Sequence, residues 1–293
     1  MNIWVEKLRL NILKHWPETK FKLPEFRFIS TIDVDSTFQY SEKGIGWSLS
    51  GVLKDAMKGD FKSITSRLKT IARINKDAYD VFDYLKNLHH ELKTEVKYFF
   101  LLGDYAPYDK NISWKNKRQS EIIKKLSEEY AVGAHPSYLS NTLPGQIKKE
   151  LQRLETITGQ KPTISRQHFL MHSFPSTYQN LVKNGIKEDY TLGYTSQYGF
   201  RAGIASPFYF FDLEKDESTY LLLYPFCSMD ITPLHYYKLT PEQAMAKNKA
   251  LLQSVKSVNG TFISLWHNES ISGTGRWQGG WPDVYAQLLK DGV

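Results

Sequence analysis

The sequence predicts an α/β fold with a mainly parallel sheet closed as a (β/α) barrel, and three observations carry that expectation. Amphipathic helical stretches and short β-branched or aromatic runs alternate about six or seven times along the chain, the rhythm of repeated strand–helix units. No glycine-rich phosphate fingerprint follows any strand-like run, which argues against an open doubly wound sheet. The polar residues Asp33, Asp35, Asp104, His135, Arg166, His168, Asp230 and His267 all fall at or just past strand ends, the face on which parallel barrels build their sites.

Taken in order, residues 1–16 set Ile3, Trp4, Leu8, Ile12 and Leu13 at helical spacing, a short amphipathic helix that ends before Pro17 and Pro24. It would lie as a lid over the barrel bottom or as a contact for a partner. Residues 26–35 are an apolar, β-branched run ending in Asp33 and Asp35, a buried strand whose two carboxylates at i and i+2 point the same way. Residues 36–75 scatter Gly44, Gly46, Gly51 and Gly59 among aromatics and lysines and read as an irregular excursion, of the kind that carries substrate contacts. A helix over 78–92 then leads to a strand over 96–102, and a helix over 122–130 leads to a short strand at 131–134 ending in His135. A third helix over 143–154 precedes 162–165, with Arg166 and His168 just beyond. A short helix over 177–182 precedes a strand over 189–194, and 208–211 with 220–224 form a hairpin running to Asp230. Thr240-Pro-Glu-Gln243 is a capping box with proline at the first helical position, opening a helix to Val255. The strand over 260–266 delivers His267, and 281–289 closes the chain as a helix.

Composition narrows the class. At 293 residues with 41% apolar and 14% aromatic content, the chain can bury a sizeable core. Its net charge of +7 is spread among interleaved acidic residues rather than gathered in runs, so a nucleic-acid partner is not expected. The lone cysteine, Cys227, excludes an intramolecular disulfide framework. No run of 18 or more apolar residues offers a membrane span, and Glu6, Lys7, Arg9 and Lys14 interrupt any signal-peptide core. The expected location is cytoplasmic.

Two carboxylates on one face need different roles, because like charges that close are not both ionised without a cation between them or a proton on one. That favours one metal ligand and one base. Two histidines and an aspartate arriving from separate strands suit a divalent transition metal such as zinc, iron, nickel or cobalt. Such an ion acidifies water and polarises a carbonyl, which points to hydrolysis of an amide or ester.

The residues Thr31-Ile-Asp-Val-Asp35, Gly133-Ala-His-Pro-Ser-Tyr138, Ser165-Arg-Gln-His-Phe169, Asp189-Tyr-Thr-Leu-Gly-Tyr194 and Leu265-Trp-His267 resemble, in this order, the five motifs of the polysaccharide deacetylases, carbohydrate esterase family 4. The resemblance implies a distorted (β/α) barrel of about seven strands, formed by residues 26–293 behind an N-terminal helical extension over 1–25. It implies metal-dependent removal of acetyl groups from an N- or O-acetylated carbohydrate, with a divalent ion, zinc ahead of nickel, cobalt or iron, as cofactor and an acetylated glycan as partner. By the same resemblance Asp33 is the general base, Asp35 a metal ligand, His135 a second ligand, Arg166 the residue that orients the base, and His267 the general acid. The family's second motif carries His-x-x-x-His, whereas the position four beyond His135 is Leu139, which cannot bind metal. His168 is the candidate replacement, ahead of His172.

Tyr138, Arg201, Asp230 and Trp277 are the candidate substrate contacts, Arg201 also being expected to pair with an active-site aspartate. Asp230 or Asp189 would raise the pKa of His267. His89 and His90 read as a helix surface pair, His15 as structural, His235 as a loop residue bonded to backbone, and Asp104 as a helix cap or substrate contact. The competing functions are an amidohydrolase of small cyclic amides, a metal-free carbohydrate-binding barrel suggested by Leu139, and a glycosidase, which would leave the histidines without a role.

Overall fold

A computed structural model describes residues 1–293, the side chain of Ile45 excepted. Its centre is a nine-stranded mixed sheet, built from β1 (Arg27–Val34), β2 (Glu95–Phe100), β3 (Ala131–Ala134), β4 (Ile164–Ser165), β5 (Glu188–Asp189), β6 (Phe208–Asp212), β7 (Glu217–Leu223), β8 (Ser228–Met229) and β9 (Thr261–His267). The strand order is β6-β7-β5-β4-β3-β2-β1-β9-β8, parallel throughout except for the antiparallel β6–β7 hairpin. The expected strand count of about seven therefore falls short, because the hairpin and the two-residue β8 add members.

The sheet curls into a half-barrel, and one stretch of chain ties its two ends. β7 pairs with β5, the Phe226 N–H donates to the Leu192 carbonyl and the Cys227 N–H to the Ile263 carbonyl, and β8 then pairs with β9. Residues 217–229 thus cross from one end of the curl to the other.

Strand alternation divides the core. Ile29, Phe99, Ile164, Tyr190, Tyr224, Phe226, Ile263 and Leu265 pack together inside the curl. Phe28, Ile32, Val34, Tyr98, Phe100, Phe262 and Trp266 face the helices instead. The next inward positions beyond Ile29 and Leu265 are Thr31, Asp33 and His267, so an apolar floor ends in a ring of polar side chains. Gly133 permits this curvature, since a Cβ there would lie 2.6 Å from Ile164 Cγ1 and 2.7 Å from the Ile164 carbonyl oxygen. Gly193 leaves room in the same way for the Phe226 ring.

The helices are α1 (Asn2–His15), α2 (Ile45–Met57), α3 (Phe61–Ile71), α4 (Phe82–Leu92), α5 (Lys117–Ser127), α6 (Gln146–Thr158), α7 (Ser176–Lys183), α8 (Pro241–Lys256) and α9 (Trp281–Gly292). The expected capping box is present at α8, with the Thr240 hydroxyl accepting from the Gln243 N–H and Gln243 returning to the Thr240 N–H. Helix α1 buries none of its residues and is tied by Asn2 to Ala205 and Ser206, beside the start of β9.

Three expectations are corrected. Residues 36–75 are not irregular: they hold the α2–α3 hairpin, stapled by the Arg67–Asp55 ion pair at 2.8 Å. The strand expected over 189–194 is only Glu188–Asp189. His89 is not a surface residue: it is buried and shares hydrogen bonds with the Tyr285 and Tyr98 hydroxyls, at 2.5 and 3.2 Å. Among the described residues no helix is long and apolar enough to cross a membrane.

Candidate metal centre

Asp33 and Asp35 reach the mouth of the curl together from the end of β1. Asp33 is buried, with Oδ1 accepting from Arg166 Nη1 at 2.9 Å and Oδ2 lying 3.8 Å from His135 Nε2. The guanidinium is fully enclosed and donates also to Thr31 Oγ1 and the Tyr190 carbonyl, while its face lies 4.9 Å from the Phe99 ring centroid. A buried charge needs a counter-charge and hydrogen bonds, and the Asp33–Arg166 pair supplies both.

Asp35, His135 and His168 each bring one ligand atom to within 4.8 Å of the others. His135 Nε2 lies 3.2 Å from Asp35 Oδ1, His168 Nε2 lies 3.5 Å from Asp35 Oδ2, and His267 Nε2 stands at 3.9 Å from the same Oδ2.

Each imidazole is oriented from behind. His135 Nδ1–H donates to the Arg166 carbonyl at 2.5 Å, His168 Nδ1–H to Asp109 Oδ1 at 2.8 Å, and His267 Nδ1–H to Asp230 Oδ2 at 3.0 Å. With Nδ1 committed, Nε2 of each ring is the atom presented to the site. Neutral imidazoles held this way point lone pairs at the lone pairs of a carboxylate, an arrangement that requires a cation between them or protons on the rings.

The electrostatics agree. Burial opposes charge on Asp35, yet His168, His135 and His267 outweigh it and hold the carboxyl well below its ordinary range. His168 is pulled down by burial and lifted further by Asp35 and Asp109, to about 9. His267 is likewise pulled down by burial and lifted by Asp230 and Asp35, to about 10. Although the Asp35 side chain is partly exposed, its Oδ1 is buried and has no hydrogen-bond partner among the described residues. An orphaned carboxylate oxygen beside His135 Nε2, with His168 Nε2 next to the other oxygen of the same carboxylate, fits a divalent ion held by Asp35, His135 and His168.

The other expected site residues are placed as follows. Tyr138 is half-buried at the mouth, its ring 4.5 Å from that of Tyr108 and 6.0 Å from that of Phe169. Asp230 is fully buried with both oxygens occupied by His267 and Ser270, so it carries His267 rather than meeting substrate. Asp189 does not serve that purpose: it is bonded to Ser165 and Thr191, and burial raises its pKa to about 6. Trp277 is buried against Trp281, with no face left for a sugar ring. Arg201 is exposed and, among the described residues, pairs with no active-site aspartate. His172 Nδ1–H donates to the Leu170 carbonyl outside the metal cluster. Asp104 pairs with Lys149 and Arg153 of α6, and His235 is exposed.

Sequence reasoning missed Asp109, Thr31 and Ser270. Asp109 follows β2, at the same barrel face as the other reactive residues, and that rule alone could have singled it out.

No protein-family model matches this chain, and no curated protein sequence matches it. Solved structures do. A protein of Mycobacterium smegmatis assigned as a polysaccharide deacetylase aligns at a TM-score of 0.55 and 16% identity, over 93% of this chain and 85% of that one. The polysaccharide deacetylase Bc1974 of Bacillus cereus aligns at 0.41 and 13%, over 89% and 85%. A mutant of a pseudoenzyme of carbohydrate esterase family 4 aligns at 0.42 and 11%, over 92% and 64%. At 16% identity the likeness is one of architecture: this chain has the fold of a polysaccharide deacetylase.

Proposed function

We propose that this protein is a metal-dependent hydrolase that removes acetyl groups from an N- or O-acetylated carbohydrate, residues 26–293 forming its distorted barrel and 1–25 an extension. The observation that carries the reading is the convergence of Nε2 from His135 and His168 on Asp35, with Oδ2 of Asp33 3.8 Å from His135 Nε2 and Nε2 of His267 3.9 Å from Asp35 Oδ2. A divalent ion bound there, zinc being the best match to the donor set, would supply Lewis acidity toward water and the acetyl carbonyl.

The chain's own residues divide the proton transfers. Asp33 Oδ2 faces the site while Oδ1 is held by Arg166, so the free oxygen is positioned to accept a proton from water. His267 is held by Asp230, which lifts its pKa against burial, and can donate from Nε2 to a leaving amine or alkoxide. Arg166 fixes the base and balances its charge. At the rim, exposed rings of Tyr108 and Phe169 stand with Tyr138, offering aromatic faces to a sugar.

A second reading, a metal-free carbohydrate-binding barrel, is favoured by one observation: Leu139 stands where the family's second histidine would be. Acetate release from a panel of N- and O-acetylated oligosaccharides, with and without chelator, decides between them. Release that chelator abolishes and zinc restores supports the deacetylase. Oligosaccharide binding by protein that retains no zinc and releases no acetate overturns it in favour of the second reading.

A further inference from the structure

Asp109 lies outside every motif that drew attention to this site. It sits in the connection after β2, yet its side chain is completely buried. Its Oδ1 accepts from His168 Nδ1–H at 2.8 Å and from the Tyr138 backbone N–H at 2.9 Å. One carboxylate oxygen therefore joins three segments: its own loop, the turn after β3 that carries Leu139, and the turn after β4 that carries His168. The same loop is fastened back to the segment just past β2 by Asn111, whose side chain donates to the Gly103 carbonyl.

We infer that Asp109 is the positioning residue that makes His168 a metal ligand in a chain whose second-motif position is leucine. The inference rests on the metal-site reading above. His168 precedes Phe169 and Leu170, both with positive φ, so its turn is irregular and gives no regular element to fix the ring. Asp109 supplies that constraint by holding Nδ1–H. This leaves Nε2 as the donor atom on the side of Asp35 and His135, and the buried negative charge makes that nitrogen a stronger donor. The same oxygen pins the Tyr138 N–H, in the turn that carries Leu139.

The test is zinc affinity, measured by competition with a chromophoric chelator on the full chain, for Asp109→Asn, His168→Ala and the double variant. Asparagine keeps the size and an acceptor oxygen but removes the charge, and is expected to weaken zinc binding about 10- to 100-fold. His168→Ala should lose at least as much, and adding Asp109→Asn to it should cost little more, because the first acts through the second. The thermal midpoint of the metal-free Asp109→Asn protein is followed alongside, and Co(II)-loaded protein gives a visible spectrum that should change in the asparagine variant. Wild-type affinity in Asp109→Asn with an unchanged Co(II) spectrum overturns the inference while leaving the metal site standing. Additive losses in the double variant overturn it as well, since they assign Asp109 a structural effect independent of His168. Absence of stoichiometric zinc in the wild-type protein overturns the metal reading itself, and the inference with it.

Discussion

Replacing Arg166 by methionine tests whether the centre of the barrel is organised around an ion pair. The guanidinium has no solvent exposure and makes three hydrogen bonds, to Asp33 Oδ1 at 2.9 Å, Thr31 Oγ1 at 2.6 Å and the Tyr190 carbonyl at 2.9 Å. Phe99, Tyr190 and Phe226 surround it, so methionine fits the space without a polar demand. Asp33, itself 1% exposed, would lose its hydrogen-bonded counter-charge. Stranding one member of a buried pair costs about 3–5 kcal/mol. Urea unfolding of metal-free protein at pH 7 should show a loss of that size. Adding Asp33→Asn should recover most of the loss, because it removes the charge that was stranded. If the double variant is as unstable as Arg166→Met alone, the penalty comes from the lost bonds to Thr31 and Tyr190 and the ion-pair argument is wrong.

Three further outcomes are expected. Asp33→Asn should retain zinc, measured by metal analysis, yet lose most acetate release, whereas Asp35→Asn should lose both; equal metal loss in the two would refute the division of labour. His267→Ala should lower turnover of an N-acetyl substrate far more than that of an ester with a good leaving group, since only the amine needs the proton. His89, whose pKa burial lowers to about 3, stays neutral in the fold while the unfolded chain protonates near pH 6.5. Its contribution is therefore fully present above pH 6.5 and is lost as pH falls toward 3, by about 1.4 kcal/mol per unit. The difference in urea stability between wild type and His89→Leu should carry that slope across the window, the other titrating groups being common to both.

The parallel strands were legible because their apolar runs are continuous and end at reactive residues: β1, β2, β3 and β9 lie within a residue or two of where the pattern puts them. The α2–α3 hairpin was not. Its glycines, Gly44, Gly46 and Gly51, speak against helix when propensity is read alone, yet Gly51 is where the Arg67 guanidinium packs against the backbone. A tertiary contact between two helices overrode local preference, and the partner residue is 16 positions away. His89 was misread for a related reason. Its helical position beside His90 says nothing about Tyr98 and Tyr285, which supply the buried hydroxyls.

For the site, spacing revealed the residues that arrive at the ends of regular elements and concealed Asp109, which acts from a loop behind His168. Asp33, Asp35 and His267 are legible because a strand alternates and ends. Of the carboxylates that orient the other imidazoles, Asp230 is one of the two its strand-end position offered for His267, whereas Asp109, 59 positions from His168 and nine beyond the end of β2, is not legible. Nothing local distinguishes these two from Asp104, which spends its charge on Lys149 and Arg153 at the surface. What separates them is burial: an aspartate enclosed away from water must hold a donor, and here the only donors its position offers are ring N–H groups and nearby backbone or hydroxyl hydrogens. The same necessity that makes these carboxylates costly to enclose aims each imidazole's Nε2 into the mouth, so the requirement for satisfied charge and the geometry of the candidate centre are one constraint.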